Sequence, residues 1–312
     1  MLFFSHLEKN GVLGMNSRNL DCIFLHNKRP DYHLVDNKIK TKALAQQANI
    51  KVPETYHVIS YQDQIKKLDE LLSPHESFVI KPAQGSGGGG ITVIKGRTDN
   101  GDFLRPGGKA TTLDDLRYHI SNILGGLYAL GGVRDDCIIE YCVENPPLFQ
   151  DMAYQGVPDI RLVIYDGVPV MAMLRLPTKS SSGRANLHAG GIGVGISIRD
   201  GMTTQGILRN RMVTHHIDTG IALAGIRIPA WEDILIMASK AGNTVPLGYI
   251  GIDIVIDKNH GPMLLEMNAR PGISIQIANR TGLKSRIEKI ENDLSGKETP
   301  DEKIAYARAH FS

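Results

Sequence analysis

The sequence predicts an α+β fold, in which helices accompany antiparallel hairpins. At residues 248–272, isoleucines alternate with other residues on the way into a turn, and residues 159–176 contain an Asp-Gly turn between two apolar runs. A period of two is typical of a strand with one apolar face, and Asp-Gly favours a tight hairpin. Helical patterns precede both segments, at 36–50 and 63–72. Hairpins and helices together indicate the α+β class.

The first elements lie at residues 36–82. A helix is predicted over 36–50, with Asp36 as its N-cap, and it ends at Val52-Pro53. A second helix is predicted over 63–72. Residues 78–82 then form a short buried strand that carries a lysine, Lys81, near its end.

A glycine-rich loop follows, with the sequence Ala-Gln-Gly-Ser and then four glycines, before a strand at 91–94. Glycine costs about 0.5–1 kcal/mol in regular structure, so such a run indicates a backbone that approaches a ligand closely or takes positive φ. The N–H groups of this loop could cover phosphates, with Lys81 as a point charge. No Gly-Lys-Ser/Thr and no helix follows, which excludes a P-loop and a dinucleotide fingerprint. A flexible hairpin tip is the alternative.

The middle of the chain contains an insertion, a strand and a cationic segment. Residues 98–132 are glycine-rich and charged, then helical over 113–127, and we interpret them as an insertion that folds over a ligand. A strand over 137–144 ends at two prolines, and its edge offers backbone groups to an adenine. After the 159–176 hairpin, polar residues form either a solvated loop or an arc that faces phosphates: Arg175, Lys179, Arg184, Asn186 and His188.

Acidic residues in the 248–272 hairpin indicate a metal site. If Asp257 pairs with Pro262, the register places Asp253 opposite Glu266, and Asn268 shares a face with Glu266. Opposed side chains have Cβ atoms roughly 4.5–5.5 Å apart, and two acids so placed repel each other. A divalent cation removes this penalty, and carboxylate and amide oxygens suit Mg²⁺ or Mn²⁺. Two acids at a solvated sheet surface are the alternative.

Composition excludes several classes of protein. The 312 residues are 42% hydrophobic and 22% charged, with a formal net charge of +2, as is typical of a globular protein. No basic stripe predicts binding to nucleic acid, and neither the first residues nor any other run predicts a signal peptide or a membrane span. Cys22, Cys137 and Cys142 lack metal-ligand spacing, which favours free thiols and a cytoplasmic location.

In combination, these motifs resemble the ATP-grasp ligases over roughly residues 36–278. The resemblance is to the glutamate ligases that extend a ribosomal protein's C-terminus and to alpha-L-glutamate ligase-like proteins. It depends on the order of Lys81, Glu140, Glu144, Asp159-x-Arg161, Asn186-Leu187-His188, Asp253 and Glu266-x-Asn268-x-Arg270. The resemblance implies two α+β lobes that clasp ATP: a small lobe at 36–145, and a large lobe with the metal site at 146–282.

The remaining ranges are an N-terminal segment, 1–35, and two C-terminal helices within 283–312. The segment is too short for the complete N-terminal lobe of the family, so the resemblance predicts a truncated N-terminal lobe. Asn16 and Arg18 could replace part of it by binding a substrate carboxylate. A turn before a strand at 22–25 is the alternative for this segment.

The resemblance also implies roles for individual residues. Those that would bind ATP are Lys42 or Lys38, Lys81, Ser86, Gly87, Gly88, Glu140, Tyr141, Cys142, Val143, Glu144, Asp159, Asn186 and His188. Asp253, Glu266 and Asn268 would hold Mg²⁺ or Mn²⁺. Arg270 would meet an acyl phosphate, assisted by Arg175 and Arg184.

The implied activity is an ADP-forming ligation of a carboxylate to an amine. The substrates would be glutamate or another amino acid and a peptide, a protein tail or a small acceptor, and homo-oligomers occur among such ligases. A phosphotransferase would need a catalytic histidine, for which His188, His215 and His216 are the candidates. A nucleotide-binding regulator without catalysis would be expected to lack a metal ligand or Arg270.

Overall fold

The computed structural model describes residues 9–85 and 87–312. Its α-helices are α1 (Met15–Ser17), α2 (His33–Asp36), α3 (Lys38–Gln47), α4 (Leu68–Leu72), α5 (Leu113–Leu124), α6 (Pro147–Met152), α7 (Trp231–Gly242), α8 (Ile275–Asn279), α9 (Leu283–Asp293) and α10 (Pro300–His310). A π-helix spans Arg18–Phe24, and 3₁₀ turns span Arg29–Asp31, Gln62–Lys67 and Leu130–Gly132.

The strands of the described residues are all antiparallel to their neighbours. They are β1 (Thr55–Ile59), β2 (Phe78–Pro82), β3 (Thr92–Ile94), β4 (Gly96–Arg97), β5 (Phe103–Leu104), β6 (Ala110–Thr111), β7 (Cys137–Glu140), β8 (Asp159–Tyr165), β9 (Val168–Leu176), β10 (Ile192–Ile196), β11 (Thr203–Leu208), β12 (Arg211–Val213), β13 (Tyr249–Asp257) and β14 (Gly261–Asn268). Helices and antiparallel sheets together confirm the predicted α+β class.

The chain divides into two compact units. Unit 1 contains the described residues up to Asp36, then 40–52 and 144–312, and unit 2 contains 37–39 and 53–143. The N-terminal segment and the two C-terminal helices therefore belong to the same unit as residues 146–282.

Unit 2 is built on a four-stranded sheet with the order β1-β7-β2-β3. Helix α5 contributes Leu116, Ile120 and Ile123 to a core shared with Phe78 and Ile80 of the sheet. This helix begins with a capping box, in which Thr112 and Asp115 exchange hydrogen bonds. The predicted insertion thus consists of a small β4-β5-β6 sheet and an amphipathic helix.

Unit 1 is built on a seven-stranded sheet with the order β12-β11-β10-β9-β8-β13-β14. Every residue of β8 and β13 is buried, and helices α7 to α10 pack their apolar residues into the same core. The predicted β8–β9 hairpin is confirmed, because Asp166 and Gly167 both take positive φ, as a tight hairpin turn requires. The predicted C-terminal helices are confirmed as α9 and α10.

Several predicted elements are wrong in their bounds or type. The helix predicted over 63–72 is a 3₁₀ turn up to Lys67 and α-helical only as α4, and the helix predicted over 113–127 ends at Leu124. Helix α3 begins at Lys38, because the side chain of Asn37, and not that of Asp36, accepts the hydrogen bond of Ile39 N–H, at 2.9 Å. The predicted strand at 22–25 is part of the π-helix, since a short apolar run does not by itself distinguish a strand from a helix. Strand β7 ends at Glu140, four residues early, next to a bulge in β1.

Two further expectations concern cysteines and membranes. Cys22, Cys137 and Cys142 are free thiols, and all of them are buried. Burial raises the pKa of the Cys22 thiol to about 12, so that this group stays protonated. In the part of the chain that the structure describes, no helix has both the length and the apolar character to cross a bilayer.

Candidate active site

A row of charged and polar side chains crosses neighbouring strands of the unit 1 sheet. Strand side chains two apart share a face, and the registers place Arg175 opposite Asp159 and Arg161 opposite Asp253. Asp253 in turn lies opposite Glu266. From β9 through β8 and β13 to β14, the row is Arg175, Asp159, Arg161, Asp253, Glu266 and Asn268. Most of the residues predicted for metal and substrate chemistry in this half of the chain are therefore brought together.

The opposition of Asp253 and Glu266 is confirmed, although the pairing assumed for it is wrong. Asp257 faces Gly261 instead of Pro262, and this register continues up to Ile254. One extra residue in β14, Leu265, then shifts the register so that Asp253 meets Glu266. Bulges of this kind often re-aim side chains near active sites.

Asp253 lies between two arginines. Arg161 pairs with both of its carboxylate oxygens, and Arg175 Nη2 donates to Oδ2 at 2.8 Å. Burial alone would raise the pKa of Asp253, but the charges of Arg161 and Arg175 outweigh burial and hold it well below its usual range. Asp253 is thus a permanently charged centre of the row.

Arg175 also forms a two-bond ion pair with Asp159. Burial raises the pKa of Asp159 to about 7, although Arg175 opposes this shift. Arg175 therefore neutralises two buried carboxylates at once. The structure shows a positioning contact for this residue, whose predicted catalytic role remains a prediction.

Glu266 and Asn268 form the half-buried end of the row on β14. Asn268 Nδ2 is 3.4 Å from Glu266 Oε1, and Glu266 lies opposite Asp253 in the strand register. The donors at this end are carboxylate and amide oxygens, which fit a hard cation such as Mg²⁺. Among residues 9–85 and 87–312, no three Asp, Glu, His or Cys side chains form a ready-made metal cage.

Arg270 follows two residues after Asn268. Its side chain is 51% exposed, with Nη2 3.5 Å from Asp36 Oδ2. Its guanidinium carbon lies 5.4 Å from the centroid of the Tyr32 ring. The predicted phosphate-facing arginine is thus accessible, and contacts two residues of the N-terminal segment.

Unit 2 contains a buried ion pair between Lys81 and Glu140, on the neighbouring strands β2 and β7. Only 3% of the Lys81 side chain is exposed. Tyr141 N–H donates to Glu54 O at 2.8 Å, so this N–H already has a partner. Cys142 and Val143, also predicted to bind nucleotide, are buried in unit 2, and Lys42 is buried in unit 1.

The glycine-rich loop has the backbone that its composition indicates. Gly87, Gly88 and Gly90 have φ values of 63°, 78° and 74°, a region that L-residues rarely adopt. A Cβ atom on Gly90 would also lie 2.6 Å from the Tyr128 ring. Ser86, a predicted phosphate ligand, lies outside the described residues.

Side chains hold this loop at both ends. At its start, Lys38 Nζ donates to Gly85 O at 2.7 Å, and the Gln84 N–H donates to Asp135. At its end, His119 Nε2 is 2.9 Å from Gly90 O, which can only accept, so Nε2 carries the proton. Burial lowers the pKa of His119, which favours the neutral ring. Lys38, named as an alternative ATP ligand, here supports the loop backbone.

The other predicted site residues lie in unit 1, on loops or, for Asn16 and Arg18, in α1 and the π-helix. Arg184 and His188 are exposed after β9, where the Asn186 side chain accepts from His188 N–H at 2.9 Å and shapes the turn. Glu144 forms an ion pair with Lys258. Arg18 donates to Asn19 and, at 3.2 Å, to Pro271 O, so its donors point to the protein, while Asn16 is exposed.

Several contacts of the site escaped the sequence interpretation. Arg161 was noted only as part of a motif, yet it is the main partner of Asp253. For Asp135, which holds the start of the glycine-rich loop, the sequence contains no local signal. For His119, which holds its end, the one signal was its position inside the helix predicted over 113–127.

A glycine-rich loop between antiparallel strands in one unit, and an acid-Asn-Arg hairpin on the sheet of the other, define an ATP-grasp protein. The chain belongs to the sugar-transfer associated ATP-grasp family, whose model matches residues 17–292. A comparison with curated proteins gives no match.

One solved structure supports the fold, and two others have lower similarity. The biotin carboxylase domain of the Hydrogenobacter thermophilus 2-oxoglutarate carboxylase gives a TM-score of 0.51 at 13% identity, over 86% of this chain and 48% of that chain. Campylobacter jejuni biotin carboxylase gives 0.49 at 17% identity, over 89% and 47%. The ATP-grasp ligase PsnB gives 0.43 at 14% identity, over 85% and 64%. This chain therefore spans less than two thirds of the length of these proteins.

Proposed function

We propose that this protein is an ATP-dependent carboxylate-amine ligase that forms an amide through an acyl phosphate. The observation that carries the proposal is the polar row of unit 1, in which Glu266 lies opposite Asp253 and is followed by Asn268 and Arg270. Membership of an ATP-grasp family supports the use of ATP.

The proposed reaction has two steps. A carboxylate oxygen of the first substrate bonds to the γ-phosphorus of ATP as the bond to the bridging oxygen breaks, and ADP leaves. An amine nitrogen then bonds to the acyl carbon, phosphate leaves with the electron pair of the broken C–O bond, and the nitrogen loses a proton. Such transfers depend mainly on positioning and on charge.

Each group of residues has a role in this scheme. Lys81 places a positive charge on the phosphates, and the backbone of residues 87–90 covers them. Glu266 and Asn268 would hold Mg²⁺, which would supply positive charge to the phosphate oxygens. Arg270 meets the charge that develops on the acyl phosphate. Asp253 already accepts from two arginines, so we assign it mainly to orienting the row, with metal ligation as a second role.

The proposed substrate class rests on exposed polar side chains of the loop after β9, the strand that carries Arg175. Lys179, Arg184 and His188 lie on the loop after β9, and a substrate with several carboxylates, such as glutamate, would suit them. The family description names sugar transfer, so amino sugars belong with amino acids and peptides among the acceptors to be tested.

The structure disfavours one of the three histidines proposed for a rival function. A histidine phosphotransferase needs an accessible histidine, whereas His216 is only 1% exposed. Its Nε2 lies 2.9 Å from Pro177 O, and its Nδ1 accepts from Asp218 N–H. His216 therefore supports the loop backbone, which leaves His188 and His215 as carriers for that reaction.

The proposal is tested by ADP release from Mg-ATP across a panel of carboxylates and amines. We expect ADP and phosphate only with a productive pair, and an amide product of the summed mass less water. Lys81→Met should lower the rate at least about tenfold, because a charge-assisted contact contributes roughly 1.5–3 kcal/mol. Lys95→Met, on the far side of the glycine-rich loop, is the matched control. AMP and pyrophosphate as products, or ATP binding with no product from any pair, would contradict the proposal.

His119 gives a second prediction for the same assay. His119→Leu removes the donor to Gly90 O and should raise the KM for ATP up to about tenfold, since a net hydrogen bond contributes roughly 0.5–1.5 kcal/mol. His119→Gln retains an N–H donor and should remain near the wild type. Equal KM values for the two variants would show that the hydrogen bond does not hold the loop for nucleotide binding.

A further inference from the structure

The turn after the acidic hairpin, residues 269–271, is contacted at every position by residues 18–36, the end of the N-terminal segment together with Asp36. Ala269 O accepts from Asn27 Nδ2 at 2.8 Å, and Pro271 O accepts from Arg18 Nη1 at 3.2 Å. Between them, the Arg270 side chain contacts Tyr32 and Asp36. One stretch of chain, residues 18–36, thus supplies all of these contacts within unit 1.

Asn27 is the firmest of them. It is 3% exposed, and its second amide hydrogen is donated to Tyr249 O at 2.6 Å, while its Oδ1 accepts from Tyr249 N–H at 2.9 Å. Asn27 therefore ties the first residue of β13 to the residue that follows β14. A buried amide with all of these bonds made fixes the backbone on both sides of it.

A second contact comes from within the sheet. A Cβ atom on Gly251 would lie 2.8 Å from Pro271 Cβ, so the proline packs directly on the bare backbone of β13. The backbone of residues 269–271 is thereby held from the N-terminal segment and from β13. These contacts fix the backbone but not the direction of the Arg270 side chain.

Tyr32 and Asp36 set that direction. The guanidinium lies over the Tyr32 ring at a distance typical of a cation–π contact, which orders the arginine without neutralising it. Asp36 Oδ2 lies 3.5 Å from Arg270 Nη2, and Asn37 accepts from Ile39 N–H at the start of helix α3. An aromatic face and a carboxylate thus flank a half-exposed arginine. For the part of the chain that the structure describes, these are the ring contact and the ion pair of Arg270.

We propose that Tyr32 and Asp36 are positioning residues that act through Arg270, and that the N-terminal segment 18–36 presents this arginine to the transferring phosphoryl group. The inference rests on the proposed ligase function. It assigns the segment a role other than the substrate binding predicted for Asn16 and Arg18. The expected signature is a lower kcat with an unchanged KM for ATP.

The test is a double-mutant cycle in the ADP assay. Tyr32→Leu keeps apolar volume but removes the ring face, and should lower kcat about fivefold, in line with a cation–π contact. Tyr32→Phe keeps the face and should match the wild type. In an Arg270→Gln background, Tyr32→Leu should change kcat less than twofold. An equal loss in both backgrounds, or a loss with Tyr32→Phe, would overturn the inference.

A second readout separates this inference from the ligase proposal. Hydrogen exchange of the backbone at residues 267–273 should rise in Asn27→Ala and in Arg18→Ala, and should stay unchanged in Arg29→Ala, an exposed arginine of the same segment. If hydrogen exchange is unchanged in Asn27→Ala and in Arg18→Ala, residues 18–36 do not hold the backbone of residues 269–271. That result would overturn the inference even if no ligase substrate were found. If exchange rises in these two variants but no substrate pair releases ADP, only the ligase proposal is contradicted.

Discussion

Glu266→Gln is expected to lower kcat/KM for ADP formation about 10²–10³-fold, the usual cost of removing one group that stabilises charge in a transition state. The substitution keeps the size of the side chain and an oxygen for Asn268. It removes one negative charge next to Asn268. The neighbouring carboxylate, Asp253, already accepts from two arginines. We also expect the Mg²⁺ concentration for half-maximal rate to rise, because an amide oxygen is a weaker ligand than a carboxylate.

Two comparisons sharpen this result. Glu288→Gln changes the same group on α9, where Glu288 faces Lys284 at 3.8 Å in an exposed pair, and should leave the rate unchanged. Urea unfolding should show Glu266→Gln within about 1 kcal/mol of the wild type, because the side chain is only half-buried at the end of the row. A rate within threefold of the wild type would remove Glu266 from the chemistry and with it the predicted metal site.

The site could be predicted where short-range signals exist. The period of two at residues 250–256, the turn and the acids on either side were enough to oppose Asp253 to Glu266. The positive φ values of the glycine-rich loop follow from its composition. Even here, the register succeeded through an unseen compensation, since the bulge at Leu265 offsets the error at Asp257.

Contacts between distant segments could not be predicted in this way. Arg161 and Asp253 are 92 residues apart, and nothing local shows that β8 and β13 are neighbours. Asn27 lies 222 residues from Tyr249, in a segment that we expected to contain a strand. Tertiary packing, and not local preference, determines each of these.

Arg175→Met is expected to cost about 3–5 kcal/mol of the free energy of unfolding at pH 8, the range for removing one partner of a buried ion pair. Arg175 neutralises Asp159 and also donates to Asp253. Without it, the buried Asp159 carboxylate keeps only repulsion from Asp253 and the more distant charge of Arg161. The measurement is urea unfolding followed by circular dichroism, with Arg184→Met as the control: the same change at an exposed arginine should cost less than about 0.5 kcal/mol.

The deficit of Arg175→Met should also depend on pH in a definite direction. The pKa of Asp159 is already raised to about 7 by burial, and loss of Arg175 raises it further. A carboxyl whose folded pKa exceeds its unfolded value of about 3.9 binds its proton more tightly in the folded state. Stability therefore falls as pH rises through this window, and the deficit should be smaller at pH 5 than at pH 8. A deficit that is equal at both values would show that Asp159 does not carry the cost, and Asp159→Asn combined with Arg175→Met should then fail to restore stability at pH 8.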